Sequence, residues 1–460
     1  MHRYDFREHS ANDCRSRGGK VNIVYLHTHD SGTFLDPANG ALPLPGVQRL
    51  ASEGVTFRNA FSAAPTCSPS RSALLTGVMP HVNGMTGLAH RGFRIADYTR
   101  HLANVCAEAG METVLCGVQH VAPHKKLIGY HTILDGETDY FARADIVPQE
   151  WDRENIGRVK SFLRGKRSRP FFLSFGLLSS HRPFPDPDEG VPERSLPAPP
   201  SPVPDTPRTR QDMQGFLSSL SIADEAVGVV TETLRETGRW EDTVVLLTTD
   251  HGPPFPGMKC TLSDGGIGVS LVLRAPGIAE SGRVEHALVS QLDLYPTICD
   301  LLRIPWSSTL EGRSLLPVLS GENKSVRDAV FAEINYHANY EPARAVRTQR
   351  YKLVRRYGQA RTPLRANVDD SASKAVMSEA GYFETPRPRE QLVDLLLDPT
   401  ERMDFSMDAA YTDVLRDLTV RLDRWMAETE DPLRTGHVPR PPGSRVNRQD
   451  ARSAEEPTIR

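Results

Sequence analysis

Short apolar runs separated by segments of helical period constrain this chain more than any other feature. Val21 to His27, Thr113 to Gly117, Pro170 to Leu178 and Thr243 to Thr249 each read as a strand apolar on both faces, and helix-period sequence lies between them. That alternation predicts an α/β fold with a largely parallel central sheet covered by helices. The clearest helix spans Thr209 to Gly238, where Phe216, Leu220, Ala223, Val227, Val230 and Leu234 recur at helical spacing and Gly238 supplies a stop. Beyond Gly321 the pattern changes: VFAEINYH and ARAVRTQRYKLVRRY alternate as short strands, and Tyr411 to Thr429 reads as a helix. These shifts predict a catalytic domain over residues 20–324 and a smaller C-terminal α+β domain over 325–435. A polar N-terminal extension (1–19) and a disordered Pro- and Arg-rich tail (436–460) flank them.

In open parallel sheets ligands bind beyond the carboxyl ends of the strands, and here each of the four runs ends in residues able to do chemistry. The first leads to His27, His29 and Asp30, the second to His120 and His124, the third to His181 and Arg182, the fourth to Asp250, His251 and then Lys259. Any one of these is as readily a solvated histidine or a helix cap. Four on one sheet edge point to a site. Asp30, Asp250 and His251 form a hard oxygen-and-imidazole set suited to Ca, Mg or Mn rather than to structural zinc. With 55 basic and 58 acidic residues the chain has no excess of positive charge for a nucleic acid. Its apolar runs are too short for a membrane span, and the first twenty residues lack an apolar signal core, so a cytoplasmic location is expected.

The segment PTCSPSRSALLTG, Pro65 to Gly77, reads as a turn and a short helix beginning near Pro69. Cys67 then lies near the positive helix end, a position that lowers a thiol pKa and favours an anion. A buried structural cysteine is the plain alternative.

Cys67-Ser68-Pro69-Ser70-Arg71, continued by Leu75-Thr76-Gly77, resembles the C-x-P-S-R…L-T-G signature of type I sulfatases. The likeness extends from about residue 21 to 401, through TTDHG at Thr248 to Gly252, SQLDLYPTICDLL at Ser290 to Leu302, EGRSLLPVLSG at Glu311 to Gly321 and QLVDLLLDPTE at Gln391 to Glu401. GLAHRG at Gly87 to Gly92 and SSHRPF at Ser179 to Phe184 are similar to the heparan N-sulfatase (sulfamidase) branch and its bacterial relatives. The resemblance implies an alkaline phosphatase-like fold and hydrolysis of a sulfate ester or sulfamate of a small substrate such as a sulfated sugar. It implies a formylglycine made from Cys67 by a separate maturation enzyme, its hydrate being the nucleophile, and a divalent metal, calcium first and manganese or magnesium next. Metal ligation would fall to Asp30, modified Cys67, Asp250 and His251. Arg71 would hold the formylglycine, Lys259 and His181 would contact the sulfate or leaving atom, and His120 and His90 would line the pocket. Two positions depart from the family pattern: His29-Asp30 replaces a usual Asp-Asp pair, and Asp250-His251 a frequent Asp-Asn. His29 thereby becomes a candidate ligand, or an imidazole facing the substrate. The Asp-His pair is also similar to phosphonate monoester hydrolases, so a phosphonate monoester or phosphodiester substrate is the alternative. A non-catalytic relative is disfavoured by the presence of Cys67, Arg71, Asp250 and Lys259 together. The Pro-dense stretch after His181 and the insertion from Gln359 to Pro386 are long enough to reach the pocket rim and select the leaving group.

Overall fold

A computed structural model of the chain describes residues 21–137, 140, 146–185 and 195–459. The N-terminal extension and the middle of the Pro-dense stretch lie outside the described residues.

Eight strands form the central sheet: β1 (Asn22–Thr28), β2 (Val55–Phe61), β3 (Glu112–Gly117), β4 (Thr132–Ile133), β5 (Phe171–Gly176), β6 (Thr243–Thr249), β7 (Leu271–Arg274) and β8 (Arg283–Ser290). Their order is β4-β3-β5-β1-β6-β7-β2-β8. All neighbours pair in parallel except β7, which is antiparallel to both β6 and β2. The expected α/β class and parallel sheet are therefore present, with β7 as an inserted reversal. Both faces of β1 are covered, which is why its sequence is apolar at consecutive positions. Ile23 and Tyr25 pack on one side with the helices Cys67–Thr76, Leu102–Glu108 and Leu294–Leu302. Val24 and Leu26 pack on the other against Phe216, Leu220, Ala223, Val227 and Val230 of the helix Pro207–Glu236.

Register decides where the site falls. Ile23 lies opposite both Phe172 of β5 and Val244 of β6, and His27 opposite Gly176 and Thr248. The three strands thus end level, and the loops leaving them converge on one edge. Two glycines permit the close approach there. Gly117 (φ 83°) leaves no room for a Cβ, which would sit 2.0 Å from the Gly176 carbonyl oxygen; a Cβ on Gly176 would meet the Val118 oxygen at 2.0 Å.

An antiparallel sheet comes next in the chain, ordered β12-β11-β10-β9, from β9 (Val330–Tyr336), β10 (Tyr340–Arg347), β11 (Tyr351–Arg356) and β12 (Glu390–Asp394). The helix Thr412–Glu428 packs on it through Leu418, Leu422, Trp425 and Met426. The insertion 359–386 carries the helix Ala372–Glu379, which lies against Pro207–Glu236; the Ser373 hydroxyl donates to Asp212 at 2.5 Å.

The tail corrects the sequence expectation of disorder. Residues 436–459 pack against the body, with β13 (Val446–Asn447) paired to β14 (Thr458–Ile459). The Tyr336 hydroxyl donates to the Val438 carbonyl at 2.6 Å, Arg91 to Asn447 Oδ1 at 2.7 Å, and Asn339 to the Arg448 carbonyl at 2.7 Å. Polar anchors supplied by other segments hold it, and composition does not register those. Among the described residues no helix is long and apolar enough to cross a membrane.

Candidate active site

The helix after β2 begins at Cys67 itself, two residues earlier than Pro69, and closes at Gly77, whose φ of 72° supplies the left-handed cap. All ten of its residues are buried, so residue 67 stands inside the protein at the edge where β1 and β6 end. Asp30 Oδ1 lies 2.8 Å from His29 Nδ1, 3.2 Å from His251 Nε2 and 3.9 Å from Cys67 Sγ. Asp250 Oδ2 is 3.4 Å from His29 Nδ1, and His251 Nε2 is 3.4 Å from Cys67 Sγ. Donor atoms of His29, Asp30, Cys67 and Asp250 all fall within 4.8 Å of one another. The five residues singled out as metal ligands are thus brought together.

Local backbone geometry aims them. Asp30 adopts φ 49° and His120 φ 54°, a region that non-glycine residues rarely occupy and that clusters at functional sites. Cys260, beside Lys259, has φ 64°. Asp250 Oδ1 accepts the backbone N–H groups of Asp30 and His251, at 2.8 and 2.9 Å, leaving Oδ2 toward the cluster. His251 Nδ1–H donates to the Gly252 carbonyl at 2.9 Å, which fixes the tautomer with a lone pair on Nε2.

Arg71, one turn beyond Cys67, is buried and saturated. It donates through Nε to Asp250 Oδ2 at 3.1 Å, through Nη1 to His27 Nδ1 at 2.5 Å and through Nη2 to the Thr28 carbonyl at 2.9 Å, and Nη2 lies 3.0 Å from Asp250 Oδ2 as an ion pair. Lys259 Nζ donates to Asp30 Oδ2 at 2.7 Å and to Asp369 Oδ2 at 2.9 Å. His181 Nδ1–H donates to the Arg182 carbonyl at 2.7 Å, and its ring meets His29 edge-on at 4.7 Å. His90 and His120 stack at 5.2 Å with Nδ1 and Nε2 2.9 Å apart, and His120 lies 5.8 Å from His29. His124, by contrast, is exposed and outside the group.

The electrostatics arise from burial. Burial raises the Asp30 and Asp250 carboxyls, but Lys259, His29 and His251 around the first, and His251, His29 and Arg71 around the second, outweigh it and hold both well below the usual carboxylate range. Burial lowers His29 to about 4, against the pull of Asp250 and Asp30. It also lowers His90 to about 3 and His120 well below its ordinary value, so these imidazoles are neutral at pH 7. Cys67 departs from expectation. Burial, reinforced by Asp30 and Asp250, pushes its thiol up despite Lys259 and Arg71, so the helix end does not yield a thiolate.

Sequence reasoning missed several participants. Ser70 Oγ donates to the Asp250 carbonyl at 2.5 Å and to Gln291 at 3.1 Å, and His27, singled out in the sequence only by its place at a strand end, faces Arg71. Asp152 accepts the backbone N–H groups of Leu178 and Ser179 just ahead of His181. Asp369 comes from the insertion. Only the reach of that insertion is legible in the sequence, from its length.

The family model for sulfatases matches residues 28–304, and that for the C-terminal region of N-sulphoglucosamine sulphohydrolase matches 259–368. The chain belongs to the sulfatase family. It is 31% identical over 477 residues to human N-sulphoglucosamine sulphohydrolase, covering 91% of this chain and 92% of that protein. Its fold matches the structure of BT4656 in complex with D-glucosamine-2-N,6-O-disulfate, with a TM-score of 0.70 and 18% identity over 91% of this chain and 100% of that one. The phosphonate monoester hydrolase of Agrobacterium radiobacter is a more distant match, with a TM-score of 0.65 and 19% identity over 89% and 96%. This sulfatase accordingly hydrolyses a sulfate ester or sulfamate, on an alkaline phosphatase-like fold.

Proposed function

We propose that the substrate is a sulfated amino sugar and that the bond cleaved is its sulfamate N–S bond, as in the human relative, with O-sulfate esters cleaved more slowly. The observation that carries this reading is the meeting of Cys67 with Asp30, Asp250, His251, Arg71 and Lys259 at one strand edge, joined to the sulfamidase likeness across both sheets.

The donor set fits a divalent cation. Asp30 and Asp250 offer carboxylate oxygens, His29 Nδ1 and His251 Nε2 imidazole nitrogens, and residue 67 an oxygen once it is modified. Two imidazoles among the ligands suit manganese or a similar first-row ion better than calcium, which prefers oxygen throughout; we therefore place manganese ahead of the calcium expected from sequence. The metal supplies charge neutralisation at the sulfuryl oxygens. A formylglycine at position 67, made by a maturation enzyme, supplies on hydration one hydroxyl to attack sulfur and a second whose deprotonation expels sulfate.

The chain's own groups do the rest. Arg71 locks Asp250 and the end of β1 in place through three hydrogen bonds and an ion-pair contact, so the anion meets an oriented site that need not reorganise. Lys259 offsets negative charge on the transferred group. His181, with Nδ1–H fixed on the Arg182 carbonyl, keeps Nε2 for the leaving nitrogen, to which it would give a proton only after taking one up at Nε2. The stacked, neutral His90–His120 pair, 2.9 Å apart, can accept a proton at one ring and share it with the other.

Mass spectrometry of the peptide holding residue 67 and kcat/KM for N-sulfoglucosamine, an aryl sulfate and a phosphonate monoester test the reading. Formylglycine with the sulfamate preferred is expected. A preference for the phosphonate by orders of magnitude overturns it, and an unmodified thiol in protein from its own host restores the non-catalytic alternative.

A further inference from the structure

Asp369 enters the site from another part of the chain. It belongs to the insertion between β11 and β12, yet its carboxylate shares the Lys259 ammonium with Asp30, at 2.9 and 2.7 Å. Its carboxylate also feels the charges of His337 and His181. Asp30 and Asp250 are needed for the metal; Asp369 has no such duty.

Its effect is on net charge. Among the ionised side chains in mutual contact at this edge are three carboxylates, Asp30, Asp250 and Asp369, and two cations, Arg71 and Lys259. With a divalent ion the site carries one net positive charge, and without Asp369 it would carry two. A sulfate ester or sulfamate is a monoanion at neutral pH, whereas a phosphate monoester is a dianion above pH 7. The first balances the site as it stands, and the second balances a site lacking Asp369.

We propose that Asp369 is a specificity-determining residue that matches the site to a monoanionic sulfuryl group and discriminates against dianionic phosphoryl monoesters. The inference rests on the sulfohydrolase reading of the same site. One uncompensated charge within a few ångströms of the anion, in a buried setting, changes relative binding by about tenfold or more. The same charge weakens the hold on inorganic sulfate, a dianion, and so favours product release.

Two measurements on the metal-loaded, matured enzyme test this. In the first, kcat/KM for 4-nitrophenyl sulfate and 4-nitrophenyl phosphate at pH 8 is compared between the wild type and Asp369→Asn. In the second, inorganic sulfate and inorganic phosphate are titrated calorimetrically into both proteins, which needs no turnover. The phosphate-to-sulfate ratio of kcat/KM should rise about tenfold in the variant, and both dianions, carrying twice the charge of a sulfate monoester, should bind about a hundredfold tighter. Asp369→Glu keeps the charge and should leave the ratio within twofold of wild type. Changes below twofold in Asp369→Asn, at unchanged metal content, overturn the proposal, as does a Glu variant that shifts as far as Asn. Asp369→Ser replaces Asn if that variant does not fold. A wild type inactive on every sulfate and sulfamate refutes the sulfohydrolase reading, while the calorimetric comparison still decides the role of Asp369.

Discussion

Asp152 offers a sharp test of the electrostatic reasoning, because it is a buried acid held by backbone N–H groups rather than by a cation. It lies on the helix Pro148–Arg164, and its Oδ2 accepts the N–H groups of Leu178 and Ser179 at 2.8 and 2.7 Å. The loop so held presents Ser180, which donates to the His29 carbonyl, and His181. Burial pushes the Asp152 carboxyl up to about 7, only partly opposed by the hydrogen bonds from Ser179 and Leu178. In the unfolded chain its pKa is about 3.9. A folded pKa above the unfolded one means the native state holds the proton more tightly, so this contribution to stability is full below about pH 4 and is lost as pH rises to about 7. At 1.36 kcal/mol per unit the whole loss is about 4 kcal/mol, and the part between pH 5 and pH 7.5 is about 2.5 kcal/mol. Asp152→Asn keeps an oxygen acceptor for both N–H groups and cannot ionise. Its stability relative to wild type should therefore increase by about 2.5 kcal/mol from pH 5 to pH 7.5, read from urea unfolding followed by tryptophan fluorescence. A difference constant to within about 0.5 kcal/mol across that range refutes the argument that burial dominates at this site.

His101 tests the opposite sign. Its Nδ1 accepts the Ala103 N–H and caps the helix Leu102–Glu108, and burial lowers it to about 3. Its contribution is present above the unfolded pKa of about 6.5 and is lost as pH falls, about 2 kcal/mol by pH 5; His101→Asn, which keeps a capping oxygen, should abolish that loss in the same unfolding assay. Arg71→Met leaves Asp250, His27 and the Thr28 carbonyl without their shared donor. It should cost about 3–5 kcal/mol in unfolding free energy and lower kcat/KM by about 10²–10³. Chelation of the metal should lower Tm, because a ligand bound only by the native state at a hundred times its Kd contributes about 2.7 kcal/mol. His251→Asn, replacing a nitrogen donor by an oxygen one, should raise calcium affinity relative to manganese affinity in a calorimetric metal titration.

The strands at the centre of the sheet were legible because burial on both faces leaves a continuous apolar run; β1, β5 and β6 fall within two residues of their expected bounds. The antiparallel β7 and the edge strand β8 were not, since the first is only four residues long and the second alternates exposed with covered positions at its start. At the site the chemically distinctive residues, Cys67, Asp30, Asp250, His251 and Lys259, announced themselves at strand ends or in a motif. What remained hidden was their pairing. Asp369 sits in sequence that reads as surface decoration, Asp152 looks like an ordinary helix residue until the fold sets it against the loop before His181, and His27 is visible at a strand end without its partner Arg71. A buried charge acquires meaning only from its partner, and partners such as Lys259 and Asp369 lie 110 residues apart. The sequence therefore names the chemically distinctive groups, while their pairing, and with it the net charge at the strand edge, depends on contacts that only the assembled fold creates.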